Sequence, residues 1–152
     1  MADRDILIVE DEGIIALDIQ TRLNDMGYGT VARASNSFQA IEMAMQLRPD
    51  IVLMDIRLEG NTSGIEAADQ IRVKYQIPVI YVTAHADEAT IEQAKRTRPY
   101  GYILKPFKDD ELRAAIEIAL YRFQAEKSSP ESDQTILREI HTSPGLGSVP
   151  PI

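Results

Sequence analysis

The run Ile51–Met54, four apolar residues that lead directly into Asp55, restricts the fold of this chain more than any other stretch. A short unbroken apolar run of this kind is typical of a strand buried on both faces, as in a parallel sheet. Asp55 then lies at the carboxyl end of that strand, where open parallel α/β sheets place their binding sites. Polar residues at the ends of other strands would meet Asp55 at the same edge.

Strand patterns alternate with helical patterns along most of the chain. Five alternations predict a parallel sheet with helices on both faces, joined by right-handed crossovers. Asn36 or Ser37 is expected to cap the second helix, Asp87 the fourth, and Asp109 or Asp110 begins the fifth. The predicted strands are 6–9, 28–34, 51–54, 78–82 and 102–104. The helix and strand positions expected to face the core are Ile15, Ile19, Leu23, Met26, Val31, Ile41, Met45, Ala68, Ile71, Leu112 and Ile116.

Composition sets limits on organisation and partners. The 152 residues suffice for one domain with a sizeable core, predicted at 1–126. The segment 127–152 is rich in Ser, Pro and Gly and reads as a tail or linker, with a short helix at 135–141. The net charge of −8 argues against a nucleic-acid surface, and the lack of cysteine excludes disulfides and thiolate metal sites.

Polar residues end four of the five predicted strands: Glu10 and Asp11, Asp55, Thr83, and Lys105. Three carboxylates in one cleft repel one another unless a cation joins them. With no Cys or His among them, the donors are all oxygen, which favours Mg²⁺. A carboxylate beside Mg²⁺ can accept a phosphoryl group, while a lysine and a hydroxyl hold the phosphoryl oxygens.

In these segments the chain resembles the receiver domain of two-component response regulators, similar to the single-domain chemotaxis regulator. The matching stretches are 6–12, 52–55, 82–84 and 102–107, and together they extend over residues 5 to about 124. The resemblance implies a doubly wound, flavodoxin-like sheet with strand order 2-1-3-4-5. It also implies that a histidine kinase or a His-phosphotransfer protein supplies the phosphoryl group, and that the face of the fourth helix, fifth strand and fifth helix then binds a downstream protein or a second copy of the chain.

The same resemblance implies a role for each site residue. Asp55 would be the phosphoacceptor and Asp11 the direct metal ligand, while Glu10 would hold a metal-bound water and the backbone carbonyl of Arg57 would complete the protein ligands. The metal would be Mg²⁺, with Mn²⁺ as a substitute. Thr83 and Lys105 would hold phosphoryl oxygens. Tyr102 matches an aromatic residue that swings inward on activation, and the Lys105–Pro106 bond is usually cis in the family.

Two departures and several simpler interpretations stand beside this one. The acid pair is Glu-Asp rather than Asp-Asp, and the polar loop 57–64 is about one residue longer than usual. Asp55 could merely cap a turn, and Glu12 is expected only to begin the first helix. Arg57 and His85, each two residues beyond a site residue, are candidates for tuning the lifetime of the phosphorylated state. His141 is assigned to the tail.

Other function classes fit less well. A phosphatase of the haloacid dehalogenase type needs a second aspartate two residues after the nucleophile, where this chain has Arg57. A flavodoxin-like cofactor binder would place phosphate against Glu10-Asp11-Glu12, which repels it. A receiver that binds partners without phosphorylation is the third alternative. The expected protein is thus not an enzyme beyond its own phosphorylation and dephosphorylation, is cytoplasmic, has no membrane partner and carries no DNA-binding output in this chain.

Overall fold

The computed structural model of the protein describes residues 4–128. Five parallel strands form one sheet in the order β2-β1-β3-β6-β7. This order is the predicted 2-1-3-4-5 arrangement, because a small separate hairpin takes the numbers β4 and β5. The strands are β1 Asp5–Val9, β2 Gly29–Ala34, β3 Ile51–Met54, β6 Val79–Thr83 and β7 Gly101–Leu104. The helices are α1 Gly13–Asp25, α2 Ser37–Leu47, α3 Gly64–Gln70, α4 Glu88–Lys95 and α5 Asp109–Ser128.

The helix boundaries follow from local chemistry. Asn36 caps α2 by accepting the Gln39 amide, and Asp87 caps α4 by accepting the Thr90 amide, both as predicted. Ser63 caps α3 by accepting the Ile65 amide. Helix α3 continues into a π-helical turn at Ile71–Tyr75.

The core lies on the two faces of the sheet. One face carries Ile6, Ile8, Leu53 and Ile80 against α1 and α5, and these helices contribute large aliphatic side chains such as Leu23 and Ile116. The other face meets α2, α3 and α4, where small residues dominate. The buried residues of those helices are Ser37, Ala40, Ala44, Gly64, Ala67, Ala68 and Ala94.

The prediction for Met45 was wrong, because its side chain is 45% exposed. Ala40 and Ala44 form the stripe of α2 that faces the sheet, and Ile41, on the neighbouring stripe, is only partly buried. A stripe of small side chains brings the helix close to the strands and leaves the longer ones at the margin. Val31 is likewise only partly buried, since β2 is an edge strand.

Residues 57–63, expected to be a polar loop, form a two-stranded antiparallel hairpin of β4 Arg57–Leu58 and β5 Thr62–Ser63. A 3-10 turn at Glu59–Asn61 joins the two strands, and Gly60 adopts a φ of 72° there. That conformation favours glycine. Leu58 is buried and anchors the hairpin to the core.

By their contacts, the described residues fall into two units, one ending at Leu120 and the other beginning at Tyr121. The described part of the second unit, 121–128, is helical. The boundary expected after residue 126 stays a prediction, and the helix expected at 135–141 lies outside the described residues, as does His141. No helix within residues 4–128 is long and apolar enough to span a membrane.

Candidate functional site

Backbone hydrogen bonds extend the sheet by one residue at three strand ends, and each extension fixes a candidate site residue. The Asp55 amide donates to the Val9 carbonyl, and the Lys105 amide donates to the Thr83 carbonyl, both at 2.9 Å. The Glu10 amide donates to the Ala34 carbonyl at 2.9 Å. The register therefore brings the ends of β1, β3, β6 and β7 to one edge, as the sequence predicted.

The Lys105 ammonium lies between two carboxylates at this edge. Its Nζ is 2.7 Å from Glu10 Oε1 and 2.9 Å from Asp55 Oδ2. Glu10 and Asp55 are only 4% and 7% exposed, so this cluster is shielded from water. The Ile56 amide donates to Asp55 Oδ1 at 2.6 Å, and the Glu12 amide donates to Glu10 Oε2 at 3.2 Å. Both carboxylates are therefore held from two sides.

Burial dominates the ionisation of Glu10. It raises the pKa of Glu10 to about 7, with the Asp55 charge adding to the rise and the Lys105 hydrogen bond opposing it. Burial acts to lower the pKa of Lys105, but its hydrogen bonds to Glu10 and Asp55 outweigh that effect, so the net shift is upward. The lysine is therefore the stable positive charge of the cluster.

The acidic group fits a divalent cation with oxygen ligands. Carboxylate oxygens of Glu10, Asp11 and Glu12 lie within 4.8 Å of one another, and Asp11 and Glu12 are exposed. Glu12 begins α1 without a side-chain capping hydrogen bond, so its carboxylate is not engaged in the capping role expected for it. Asp55 is joined to this group by Lys105, whose ammonium binds both Asp55 and Glu10. This donor set suits Mg²⁺ better than a softer metal.

A neutral group lies beside the charged one. Thr83 ends β6 and is fully buried, and its Oγ1 accepts the His85 amide at 3.3 Å. The Tyr102 hydroxyl donates to the His85 carbonyl at 2.6 Å. Burial raises the pKa of Tyr102, which keeps that hydroxyl protonated. Tyr102 is thus tied to the loop that follows Thr83, and it occupies a partly buried position.

Sequence reasoning missed one part of this neutral group. Tyr81 is fully buried, and its hydroxyl forms a 2.7 Å hydrogen bond with Thr97 Oγ1. Thr97 Oγ1 in turn donates to the Ala94 carbonyl at 2.7 Å, so the chain of bonds ends in α4. The Tyr81 and Tyr102 rings are 5.8 Å apart and tilted by 56°. An unbroken apolar strand pattern around Tyr81 gave no signal that its hydroxyl has a partner.

Arg57 lies beside the site, on the hairpin. Its side chain is exposed and lines a cleft of about 290 Å³ between the hairpin and α4, opposite Thr90 and Gln93. Hydrogen bonds from Thr90 lower the pKa of Asp87, and the positive charge of Arg57 adds to that shift. His85 is half-buried. Their suggested tuning roles stay predictions.

Gly64 explains how α3 approaches Asp55. A Cβ built at this position would overlap the carbonyl oxygen of Asp55 and press on the Met54 side chain. The Gly64 amide donates to the Ile56 carbonyl at 2.7 Å, which draws α3 against the end of β3. Only the absence of a side chain permits this approach. The Lys105–Pro106 peptide bond is cis, as the resemblance implied.

The profile of the response regulator receiver domain matches residues 6–117, which is most of the chain. The chain belongs to the response regulator receiver family. It is 36% identical over 121 residues to the transcriptional regulatory protein PdtaR of Mycobacterium tuberculosis, covering 80% of this chain and 58% of PdtaR. It therefore spans less than two thirds of that relative's length.

The match with this chain extends over nearly the whole length of two further relatives. Sporulation initiation phosphotransferase F of Bacillus subtilis is 34% identical over 118 residues, which cover 77% of this chain and 94% of that protein. The receiver domain of a sensor histidine kinase from Pseudomonas aeruginosa PAO1, solved with a magnesium ion coordinated in its active-site cleft, is 30% identical. That structure superposes with a TM-score of 0.71 and covers 78% of this chain and 98% of its own. The receiver fold and the place of this chain in two-component signalling follow.

Proposed function

We propose that this receiver accepts a phosphoryl group on Asp55 from a phosphorylated histidine of a kinase or a phosphotransfer protein. The observation that carries the proposal is the position of Lys105 Nζ, 2.7 Å from Glu10 and 2.9 Å from Asp55 at the carboxyl edge of the sheet. A buried carboxylate paired with a lysine at this edge suits a nucleophile whose product also carries negative charge. The protein would work in the cytoplasm, without nucleic acid or membrane as a partner.

The transfer exchanges one bond for another. A carboxylate oxygen of Asp55 forms a P–O bond as the P–N bond to the histidine imidazole breaks, and the imidazole nitrogen keeps the electron pair. Lys105 then turns from the Asp55 carboxylate to an oxygen of the attached phosphoryl group. The Thr83 hydroxyl binds another phosphoryl oxygen. Catalysis by this chain is limited to this step and to hydrolysis of its own acyl phosphate.

Asp11, Asp55 and the backbone carbonyl of Arg57 would hold Mg²⁺ directly, and Glu10 would hold it through a water. When bound, the ion offsets the repulsion among carboxylates and phosphoryl oxygens, and Mn²⁺ can take its place. The oxygen-only donor set and the grouping of Glu10 with Asp11 support this assignment. The magnesium described in the Pseudomonas receiver supports it further.

The neutral group would report the change. Once Thr83 turns toward the phosphoryl group, its hydrogen bond from the His85 amide is lost, and the His85 carbonyl that holds Tyr102 shifts with it. The surface formed by α4, β7 and α5 then presents a different face to a downstream protein or to a second copy of the chain. Hydrogen exchange on phosphorylation should change mainly over residues 84–108, and changes centred on 14–47 would place the switch elsewhere.

Intact mass after incubation with acetyl phosphate and Mg²⁺ tests the acceptor. The wild type should gain one phosphoryl group, whereas Asp55→Asn should gain none. Asp110→Asn, the same substitution at an exposed residue of α5, is the matched control and should be labelled like the wild type. Equal labelling of Asp55→Asn would overturn the assignment, and an unlabelled wild type would favour a receiver that acts without phosphorylation.

A further inference from the structure

Arg22 of α1 contacts the loop between β7 and α5, which carries Lys105. Arg22 Nη1 donates to the Phe107 carbonyl at 2.9 Å, and the guanidinium carbon lies 4.7 Å from the centre of the Phe107 ring. The same Nη1 is 3.4 Å from Asp109, the first residue of α5. The Arg22 side chain thus contacts the backbone and the ring of Phe107, and also the first residue of α5.

Arg22 is itself oriented. Its Nε lies 3.2 Å from the Asp18 carboxylate one turn earlier on α1, and its side chain is 31% exposed. Each of these contacts alone contributes little at a partly exposed position. Acting together on Phe107, however, they fix a loop residue through both its carbonyl and its ring, which a planar guanidinium allows and a simple ammonium does not.

The position of Phe107 matters because of what happens to Lys105 two residues earlier. In the structure, Glu10 and Asp55 define where Nζ lies. In the proposed reaction, Asp55 would carry the phosphoryl group and Glu10 would hold a metal-bound water, so both carboxylates would hold the lysine less firmly than they do here. Its position then depends on the loop backbone, which is anchored by the Lys105 amide on the Thr83 carbonyl and by Arg22 on Phe107.

We propose that Arg22 is a positioning residue for Lys105. It does not touch the phosphoryl group, and it acts by keeping the loop after β7 where Nζ can reach both Asp55 and the oxygens that Asp55 acquires. This inference rests on the proposed function, since it concerns the same site. The inference goes beyond the proposed function because it assigns a role to Arg22 on α1. Arg22 lies 85 positions in sequence from its hydrogen-bond partner Phe107.

The chain offers a matched control in Arg48. Its guanidinium carbon lies 5.2 Å from the centre of the Tyr75 ring, and its Nη1 donates to the Tyr75 carbonyl at 3.3 Å. This is the same pair of contacts that Arg22 makes with Phe107. Tyr75 precedes β6 and so lies toward the amino edge of the sheet, away from Asp55. Loss of Arg48 removes an equivalent clamp without touching the Lys105 loop.

The first test compares the rates at which Arg22→Ala, Arg22→Lys and Arg48→Ala gain a phosphoryl group from acetyl phosphate with saturating Mg²⁺. We expect Arg22→Ala to be slower than wild type by about tenfold, because small displacements of a catalytic group are costly. Arg48→Ala should match the wild type. The rate of Arg22→Lys should lie between those of Arg22→Ala and the wild type. An unchanged rate in Arg22→Ala, or an equal loss in Arg48→Ala, would overturn the proposal.

A double-mutant cycle separates positioning from a general structural effect. If Arg22 acts through Lys105, then Arg22→Ala should cause no further loss of rate in a Lys105→Ala background. A full additional loss in that background would show that Arg22 acts independently of the lysine and would overturn the proposal.

The second readout needs neither metal nor phosphoryl donor. In the metal-free protein, Arg22→Ala should speed hydrogen exchange at the Lys105 amide by about tenfold while the amides of β3 stay as protected as in wild type, since the opening is local. Arg48→Ala should leave the Lys105 amide unchanged. If the wild type gains no phosphoryl group, the proposed function fails, yet this exchange measurement still decides whether Arg22 holds the loop. Unchanged exchange in Arg22→Ala would refute the clamp itself.

Discussion

The two halves of the site edge are built differently. The charged half consists of Glu10, Asp11, Asp55 and Lys105. Ion pairs join Lys105 to Glu10 and Asp55, and backbone bonds that extend the sheet fix these three residues. The neutral half, formed by Thr83, His85 and Tyr102 with Tyr81 and Thr97 behind them, contains only uncharged hydrogen bonds. Its helix, α4, buries one side chain, Ala94, whereas α5 buries four.

This difference suits the two halves to different tasks: the charged half to the proposed reaction at Asp55, and the neutral half to the structural change that follows it. Paired buried charges lose much if one partner moves, so the charged half is suited to keeping its geometry. An element with few buried apolar contacts opens at low free-energy cost, so α4 is suited to changing position. If this division holds, the charged half controls ionisation and metal binding, and the neutral half controls the position of α4.

The largest effect concerns Glu10→Gln and pH. The folded state holds the Glu10 proton up to about pH 7, while the unfolded chain releases it near 4.5. The folded state therefore binds more protons in this window, and the free energy of unfolding of the wild type should fall as pH rises through it. Relative to Glu10→Gln, the wild type should lose roughly 3 kcal/mol between these pH values. Metal-free denaturant unfolding at several pH values measures this, and parallel curves for the two proteins would contradict it.

Metal binding should have the next largest effect. Mg²⁺ at about one hundred times its Kd should stabilise the wild type by about 2.7 kcal/mol, because it binds only the folded state. Asp11→Ala should abolish that gain, and its metal-free form should be more stable than wild type because a repulsive charge is gone. Asp110→Asn removes an exposed charge outside the acidic group, so it is the control and should keep the gain. A wild-type melting temperature that does not respond to Mg²⁺ would argue against the site.

The lifetime of the phosphorylated state tests Arg57 and His85, which each lie two residues beyond a residue of one half, Asp55 or Thr83. Neither side chain offers a carboxylate or carboxamide to orient water in line with the acyl phosphate, so self-dephosphorylation should be slow. Combining Arg57→Asn with His85→Glu should speed decay by at least about tenfold, equivalent to roughly 1.4 kcal/mol. Intact mass against time follows the decay. Unchanged decay in the double variant would show that these positions do not control the water.

The smallest effect belongs to the neutral half. Tyr81→Phe removes the hydrogen bond to Thr97 and should lower the free energy of unfolding by about 1 kcal/mol. Hydrogen exchange should accelerate in α4 but not in α5, because only α4 is tied to Tyr81 through Thr97. Ile116→Val on the other face should cost a similar amount, about 1 kcal/mol, without loosening α4. Equal loosening by both variants would erase the distinction between the halves.

The sheet and the charged half could be predicted because both depend on local patterns. The apolar run Ile51–Met54 indicates a buried strand. Parallel pairing of this strand with β1 then places Asp55 beside Glu10, independently of the loop conformations. The cap at Asp87 was also predictable, since it requires only an acceptor before a helical run.

The parts that escaped prediction depend on partners distant in sequence. Nothing near Tyr81 indicates that its hydroxyl will donate to Thr97, and nothing near Arg22 indicates that its guanidinium will bind Phe107. The hairpin after Asp55 depends on two consecutive residues with positive φ, Gly60 and Asn61, within a stretch whose composition fits any polar loop. Met45 was misplaced because periodicity cannot choose between neighbouring stripes of a helix when one consists of alanine.

The bare backbone at Gly64 has a consequence for how this protein tolerates change. Position 64 carries no charge, yet even one added methyl group there must push the end of β3 or α3 aside. A substitution at this residue would therefore displace Asp55 while every acidic, basic and hydroxyl group of the site stays in the sequence. Inspection of the site residues alone would judge such a variant intact. The most vulnerable point of the site is thus a residue with no side chain.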